Sequence, residues 1–130
     1  MSLFKIPNAT VAEISTPSLA YIGDAVYELH VRMYYLSPPR TASAYHQLVV
    51  AKVRAENQAK QLDRLIQTLF LNDAESDLVK RGRNAAGYAS RNIDPAIYQK
   101  ATGFETLIGY LYLTDHDRLH QIFEQIDHEI

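Results

Sequence analysis

Glycine and proline are scarce in this chain and gather at a few points, which limits the fold to a small number of long helices. The 130 residues include five glycines and five prolines, and these residue types mark the boundaries of regular elements. Between the boundaries, apolar residues recur every three or four positions, as on one face of a helix. We therefore predict an all-α fold of five or six helices in one domain, residues 17–130, preceded by an N-terminal arm over residues 1–16.

Capping residues and prolines predict where the helices lie. The first helix follows STPS at 15–18 and stops at SPPR at 37–40, and a second helical region, with room for a small break, spans about 42–70. Each is expected to turn one apolar stripe toward the core. The first stripe comprises Leu19, Ile22, Val26, Leu29, Met33 and Leu36. The second comprises Leu48, Ala51, Ala55, Ala59, Leu62, Ile66 and Leu69.

The second half of the chain is predicted to contain a long irregular stretch between helices. A short helix is capped within LNDAES at 71–76 and ends near Lys80. KRGRNAAGYASRNID, at 80–94, is then expected to be a loop, and a loop of that length in a compact domain is usually functional or disordered. An aspartate–proline pair at its end opens the next helix. The last helix follows TDHD at 114–117.

Two carboxylates, Asp24 and Glu28, lie one turn apart in the middle of the otherwise apolar first helix. Asp24 is too far from the helix N-terminus for the helix dipole to stabilise it. The simpler interpretation is a solvated flank, because most charges on helices lie at the surface. The other is a metal ligand or general base in a cleft. For Glu28 the alternatives are a supporting role beside the site and an ion pair with Arg32, one turn later.

Glu105 is the single acid of KATGFETLIGYLYL, at 100–113, and again lies mid-helix beside an apolar stripe. If the two acid-bearing helices pack together, their carboxylates converge, and a cation between two carboxylates allows both to ionise. Mg²⁺ is typically held by one or two carboxylates together with waters. Gly23 and Gly109 weaken their helices, which indicates that the two backbones approach closely there. A helix crossing with no chemistry is the competing explanation of the glycines.

The predicted loop carries a dense group of positive charges. Four basic residues and a hydrogen-bonding amide lie within it, in a protein whose net charge is −2. They are Lys80, Arg81, Arg83 and Arg91, with Asn84 among them. Arginine, lysine and a flexible backbone suit contacts to phosphates. A solvated surface loop is the competing interpretation.

Composition excludes several classes of site. The chain has no cysteine, which excludes a disulfide framework, a zinc–thiolate site and a thiol nucleophile. The five histidines have no convincing metal-ligand spacing. The first residues are not typical of a secretory signal, and no run approaches the roughly 20 apolar residues that a membrane-spanning helix needs. We therefore expect a cytoplasmic protein that does not bind membranes.

Three short sequences, YIGDAVYE, KRGRNA and FETLIGY, occur here in the order found in a known family. With them, residues 19–113 resemble the ribonuclease III catalytic domain, and most closely its short bacterial branch, Mini-ribonuclease III, which lacks the separate double-stranded-RNA-binding domain. The resemblance implies a homodimeric, all-α endonuclease domain of five to seven helices. It also implies cleavage of double-stranded RNA, in particular the precursor of large-subunit (23S) ribosomal RNA. A ribosomal protein is a candidate helper in presenting that substrate.

The resemblance assigns roles to individual residues. Asp24 and Glu105 correspond to the family's metal-binding acids and would hold Mg²⁺, for which Mn²⁺ can substitute, while Glu28 would support them. Two further acids of full-length ribonuclease III are replaced here by Ala20 and Thr102, as in the short branch, which leaves the number of metals open. The segment expected to contact RNA comprises Lys80, Arg81, Arg83, Asn84 and Arg91. Hydrolysis would leave 5′-phosphate products.

Two other functions remain open from the sequence. A ribonuclease III-like fold that has lost catalysis would serve as an RNA-binding module associated with ribosome assembly. The uncharged Ala20 and Thr102 favour that function, whereas the retained Asp24 and Glu105 disfavour it. A plain helical dimerisation domain would leave the mid-helix acids and the basic stretch unexplained.

Overall fold

The described part of the chain is a bundle of six α-helices. The structure is a computed structural model that describes residue 6 and residues 10–87 and 92–126. A 3₁₀ turn (Val11–Glu13) precedes α1 (Thr16–Tyr34), α2 (Ala42–Val53), α3 (Ala55–Gln67), α4 (Asp73–Ala85), α5 (Pro95–Thr114) and α6 (His116–Gln125). No strand occurs in these ranges, so the all-α prediction is confirmed. None of the helices described is long and apolar enough to serve as a membrane span.

Side-chain caps begin α1, α4 and α5 where the sequence signals predict. Ser15 caps α1, Asp94 caps α5, and Asn72 and Glu75 form a reciprocal capping box at the start of α4. Each cap satisfies a backbone N–H group that the first turn of a helix leaves free. The break allowed inside the second helical region lies at Arg54, whose extended backbone separates α2 from α3.

α5 is the central helix, and α1, α3 and α4 pack around it. Phe104, Leu107 and Ile108 of α5 are fully buried. Tyr27 of α1 packs edge-on against Phe104, with the ring centroids 5.3 Å apart. Ile122, also fully buried, brings α6 into the same core. Because protein cores are close-packed, α5 is held in a fixed position relative to α1.

Glycines bring α1 and α5 into backbone contact. A Cβ atom on Gly23 would lie 2.6 Å from the carbonyl carbon of Glu105 and 2.9 Å from the nitrogen of Gly109. A Cβ atom on Gly109 would lie 2.9 Å from the carbonyl carbon of Leu19. Only glycine fits at these two positions, so the predicted close approach of the acid-bearing helices is present in the structure.

α4 is longer than predicted. It continues to Ala85, so the loop expected over 80–94 begins later. The residues that are helical instead are Lys80, Arg81, Arg83 and Asn84. Gly82 does not make this stretch mobile, because it is buried and a Cβ atom there would lie 3.1 Å from the Cα of Gly103 on α5. Arg91 lies outside the described residues.

α1 turns a different face toward the core than the one predicted. Its buried residues are Leu19, Ala20, Gly23, Tyr27 and Val31. Most of the predicted stripe points outward: Leu29 is 56% exposed, Met33 61% and Leu36 60%. The helix is apolar on two faces, and spacing alone does not say which of them packs against α5. The prediction of that stripe as a core face is therefore wrong for the single chain.

The second predicted stripe is right in its centre and wrong at its end. Ala59 and Leu62 are buried as expected, but Ile66 and Leu69 are exposed, and Leu65 occupies the core position instead. Ile66 lies on the exposed side of α3, and Leu69 lies beyond the end of this helix at Gln67, so the spacing of three and four was carried past it. Leu69 lies in the following turn, with φ at 55°.

Candidate metal centre

The contact between α1 and α5 brings Asp24 and Glu105 together. The two side chains lie close enough for Asp24 to raise the pKa of Glu105. Asp24 lies on the exposed side of α1, whereas Glu105 is half-buried between the helices. Gly23 precedes Asp24, and Gly109 lies one turn after Glu105, so the glycine contact sets the separation of the two acids.

The surroundings of Glu105 favour its protonated form. Burial, followed by the hydrogen bond to Asp24 and the charge of Asp24, raises the pKa of Glu105 to about 8. A hydrogen bond from the side chain of Gln58 acts in the opposite direction, because it stabilises the ionised carboxylate. Near neutral pH the two acids therefore share a site with a proton between them. Such a site suits a divalent cation, which takes the place of that proton.

Gln58 of α3 is the residue of this site that sequence reasoning missed. Its side chain is 2% exposed, and its Nε2 donates a hydrogen bond to the carbonyl oxygen of Val53 at 2.9 Å. Within the described ranges, its Oε1 is a buried side-chain oxygen with no hydrogen-bond partner. The residues next to Gln58 in α3 do not indicate that this glutamine lies at the carboxyl pair. The signal is the packing of α3 against α5, which joins segments far apart in sequence.

The side chains present fit a cation that takes few ligands from the protein. No group of three or more His, Cys, Asp or Glu side chains is arranged around a metal site in the residues described. Asp24 and Glu105 are therefore the carboxylates available to bind a cation at this site. Mg²⁺ is often held by one or two carboxylates, with waters and substrate phosphate completing its shell. The raised pKa of Glu105 and the unpaired oxygen of Gln58 both indicate a polar site that the protein alone does not satisfy.

The positions of the two missing acids are uncharged and structurally satisfied. Ala20 is buried in the contact with the core. The hydroxyl of Thr102 donates to the carbonyl oxygen of Tyr98 at 3.0 Å. Thr106 is fully buried, and its hydroxyl donates to the carbonyl oxygen of Thr102 at 2.7 Å. The threonine at 106 is thus accommodated without an unpaired hydroxyl.

Glu28 forms an ion pair with Arg32 in the structure. The nitrogen–oxygen distance is 2.9 Å, Arg32 is exposed and Glu28 is partly exposed. This is one of the two alternatives that the sequence left open. A supporting role for Glu28 beside Asp24 stays a prediction.

The basic residues of α4 form a second feature of the surface. Arg81 lines a cavity of 230 Å³ together with Tyr110 and Thr114, near the C-terminal end of α5. Lys80, Arg81 and Asn84 are exposed, and Arg83 is half-buried. In the described part of the chain, no ion pair joins Lys80, Arg81 or Arg83 to a carboxylate. Their charges are therefore available to an anionic partner.

A large apolar groove runs along the exposed face of α1. Its volume is 760 Å³. The apolar residues that line it include Ile14, Tyr21, Ile22, Val26, Leu29, Tyr112 and Leu113. Tyr21 is 80% exposed. Contiguous apolar surface of this kind marks an interaction site more often than a free surface, and the groove is separate from the carboxyl pair.

Comparison with known protein families identifies the class of this fold and site. The sequence model of the ribonuclease III domain matches residues 17–116, which is most of the chain. The chain belongs to the ribonuclease III family.

Individual relatives narrow the assignment. The chain is 50% identical over 117 residues to a Mini-ribonuclease 3 from Synechocystis, a match that covers 90% of this chain and 80% of the relative. It is 48% identical over 117 residues to a Mini-ribonuclease 3 from Gloeobacter violaceus, covering 90% and 85%. A crystal structure of a Fusobacterium nucleatum protein is similar with a TM-score of 0.79 and 29% identity, covering 88% of this chain and 93% of that one. Within the family, the chain falls in the Mini-ribonuclease 3 branch, which confirms the resemblance seen in the sequence.

Proposed function

We propose that this endoribonuclease hydrolyses double-stranded RNA with Mg²⁺, held by Asp24 and Glu105. One observation carries the proposal: the two carboxyl groups converge from α1 and α5 onto one site in a chain of the ribonuclease III family. Mn²⁺ can substitute, because it shares the preference of Mg²⁺ for oxygen ligands.

The chain contributes rigidity and charge to this reaction. Backbone contact between α1 and α5 fixes the two carboxylates, and fixed ligands are what a metal site requires. When bound, Mg²⁺ would lower the pKa of the attacking water and offset the charge that develops on the scissile phosphate. Attack by water on phosphorus breaks the bond to the 3′ oxygen, so the products carry a 5′-phosphate and a 3′-hydroxyl. Glu28 is proposed as a supporting acid that helps to orient Asp24.

RNA would be held through its backbone. A-form RNA hides its base edges in a deep groove, so recognition depends mainly on shape and on phosphate and 2′-hydroxyl contacts. The residues proposed for these contacts are Lys80, Arg81, Arg83, Asn84 and Arg91. Four of them lie on α4, so the contact surface is a helix rather than the mobile loop predicted from the sequence.

The apolar groove on α1 supports a homodimer. A second copy of the chain would cover Leu29 and Met33, which are otherwise exposed to water, and the same surface would serve both subunits in a two-fold contact. The dimer would place two carboxyl pairs along one RNA duplex, with each subunit cutting one strand.

The natural substrate that we propose is the precursor of 23S ribosomal RNA in the cytoplasm, presented with the help of a ribosomal protein. This part of the proposal rests on the family resemblance alone. The competing function is an RNA-binding module without catalysis, which the uncharged Ala20 and Thr102 favour.

Cleavage of a long double-stranded RNA, with Mg²⁺ and with EDTA, tests the proposal. We expect product only with Mg²⁺, and none from Glu105→Gln or Asp24→Asn, which remove a charge at nearly constant shape. Glu124→Gln, which removes an exposed carboxylate of α6, is the matched control and should cleave normally. Cleavage in EDTA, or a Glu105→Gln variant as fast as the wild type, would contradict the site. Binding without cleavage of either this duplex or a 23S precursor fragment would establish the non-catalytic module.

A further inference from the structure

A cleft beside Arg81 lies between α1, α4 and α5. It consists of two adjoining cavities, of 430 and 230 Å³, whose walls share Arg81, Tyr110 and Thr114. Apolar side chains form much of the remaining wall: Val11, Ile14, Leu19, Leu78 and Leu111. Sites for small ligands are typically of this kind, mostly apolar with a few polar groups that fix the orientation of the ligand.

Arg81 brings a positive charge without a counter-ion to this cleft, since no carboxylate among the described residues pairs with it. The acids that line the cleft are engaged elsewhere. The guanidinium of Arg118 donates to both oxygens of Glu75, at 2.7 and 2.8 Å, and Asp115 caps α6 by accepting the backbone N–H of Arg118 at 3.1 Å. Tyr110, 37% exposed, offers an aromatic ring beside the free charge. The cleft therefore suits a ligand that combines an anionic group with a flat apolar one.

The cleft lies a short distance along two helices from the carboxyl pair. Leu19 on α1 and Tyr110 on α5 each line the cleft, and each is five residues from the acid of its own helix. Five residues span roughly 8 Å along an α-helix. RNA that reaches Asp24 and Glu105 would therefore pass close to Arg81.

We propose that this cleft binds one unpaired nucleotide of the RNA substrate, with the base against the ring of Tyr110 and a phosphate at the guanidinium of Arg81. The inference rests on the proposed function, because it concerns the RNA that the carboxyl pair would cleave. It extends recognition from the backbone of a regular duplex to a bulge or an unpaired end.

The chemistry of RNA suits such a cleft. Unpaired bases are commonly recognised by stacking on aromatic side chains, and stacking accepts any base because every base has a flat face. A bulged nucleotide has no base pair to break, so its transfer into a cleft costs less than that of a paired one. A fully paired duplex leaves the ring of Tyr110 without a base.

The test compares two RNA duplexes of equal length in EDTA, one fully paired and one with a single bulged uridine. Fluorescence anisotropy gives the ratio of their dissociation constants. We expect the wild type to bind the bulged duplex about tenfold more tightly. Tyr110→Leu should lose this preference, whereas Tyr110→Phe, which keeps the ring, should retain it. Tyr34→Leu, at an exposed tyrosine near the other end of α1, is the matched control and should also retain it.

The outcomes separate this inference from the function on which it rests. Wild-type protein that binds neither duplex would overturn both. Equal affinity for the two duplexes would overturn only the role of the cleft in RNA binding, even if free uridine monophosphate bound there, and so would a preference that survives in Tyr110→Leu. Should Tyr110→Leu fail to fold, 5-iodouridine at the bulge is photo-crosslinked to the wild type and the site is mapped by mass spectrometry. A crosslink within the cleft supports the assignment, and crosslinks solely outside it refute it.

Discussion

Replacement of Gly23 by alanine adds one methyl group at the contact between the two acid-bearing helices. The new carbon would lie 2.6 Å from the carbonyl carbon of Glu105 and 2.9 Å from the nitrogen of Gly109. Carbon atoms pack best at about 3.5–4.0 Å. Both neighbours are backbone atoms and have no rotamer in which to move aside. α1 and α5 must therefore separate by roughly 1 Å at this point.

The cost in stability can be estimated from the same contact. Overpacking of a close-packed interface usually costs about 1–3 kcal/mol, and backbone on both sides places this case near the upper end. Alanine regains about 1 kcal/mol, because it is a better helix former than glycine. We expect the free energy of unfolding, measured in urea, to fall by about 2 kcal/mol.

The cost in activity should exceed the cost in stability. A shift of this size moves the backbone of Glu105 away from Asp24, and a misplacement of about 1 Å can lower a rate roughly 100-fold. RNA cleavage is compared at a temperature at which circular dichroism shows that both proteins are folded. A loss of rate under those conditions reports the geometry of the carboxyl pair and not unfolding.

Gly87→Ala is the matched control for this experiment. A Cβ atom at Gly87 meets nothing within 4 Å, so this variant should keep both the stability and the activity of the wild type. If Gly23→Ala behaved in the same way, backbone contact between α1 and α5 could not be what holds the two acids in place.

Three further perturbations address charge, RNA contact and assembly. In EDTA, the stability of the wild type should fall by a few kcal/mol between about pH 5 and about pH 8, because folded Glu105, with a pKa of about 8, keeps a proton that the unfolded chain releases near 4.5. Glu105→Gln should remove that fall in urea titrations, and a fall that persists would place its cause elsewhere. Arg81→Ala combined with Arg83→Ala should flatten the salt dependence of RNA binding by about one unit of slope per lost phosphate contact, measured by fluorescence anisotropy; an unchanged slope would remove α4 from the RNA interface. Leu29→Glu should convert a dimer into monomers in sedimentation, because it places a charge in the apolar groove of α1. Leu69→Glu, at an exposed leucine outside the groove, should leave the assembly unchanged.

Local signals in the sequence were sufficient for the starts of α1, α4 and α5. The hydroxyls before α1 and the aspartate–proline pair before α5 act on the nearest free N–H groups, so neighbouring residues decide the outcome. The pairing of Gly23 with Gly109 was also predictable. Glycine is costly inside a helix, and two such glycines beside two isolated acids indicate one shared contact.

Long-range packing decided what the sequence did not predict. Gly82 resembles a loop residue, yet it packs against Thr106 and Gly103 on α5, far along the chain. Leu29 and Val31 lie on different apolar faces of α1, and only the position of α5 determines which one is buried. Gln58 gives no signal at all, since its place in the site follows from the docking of α3 rather than from its neighbours.

The position of α5 in the chain has a consequence for the order of events during synthesis. Its residues leave the ribosome after α1 to α4 have already been made, and domains assemble as their segments emerge. A chain that stops before Pro95 holds Asp24 but lacks Glu105 and the central helix against which α1 packs. Incomplete chains therefore carry half of the carboxyl pair and lack the central helix of the core. The metal site proposed for Asp24 and Glu105 is completed only when nearly the whole domain has been translated, which would keep the nuclease from acting on RNA, including the messenger that encodes it, before then.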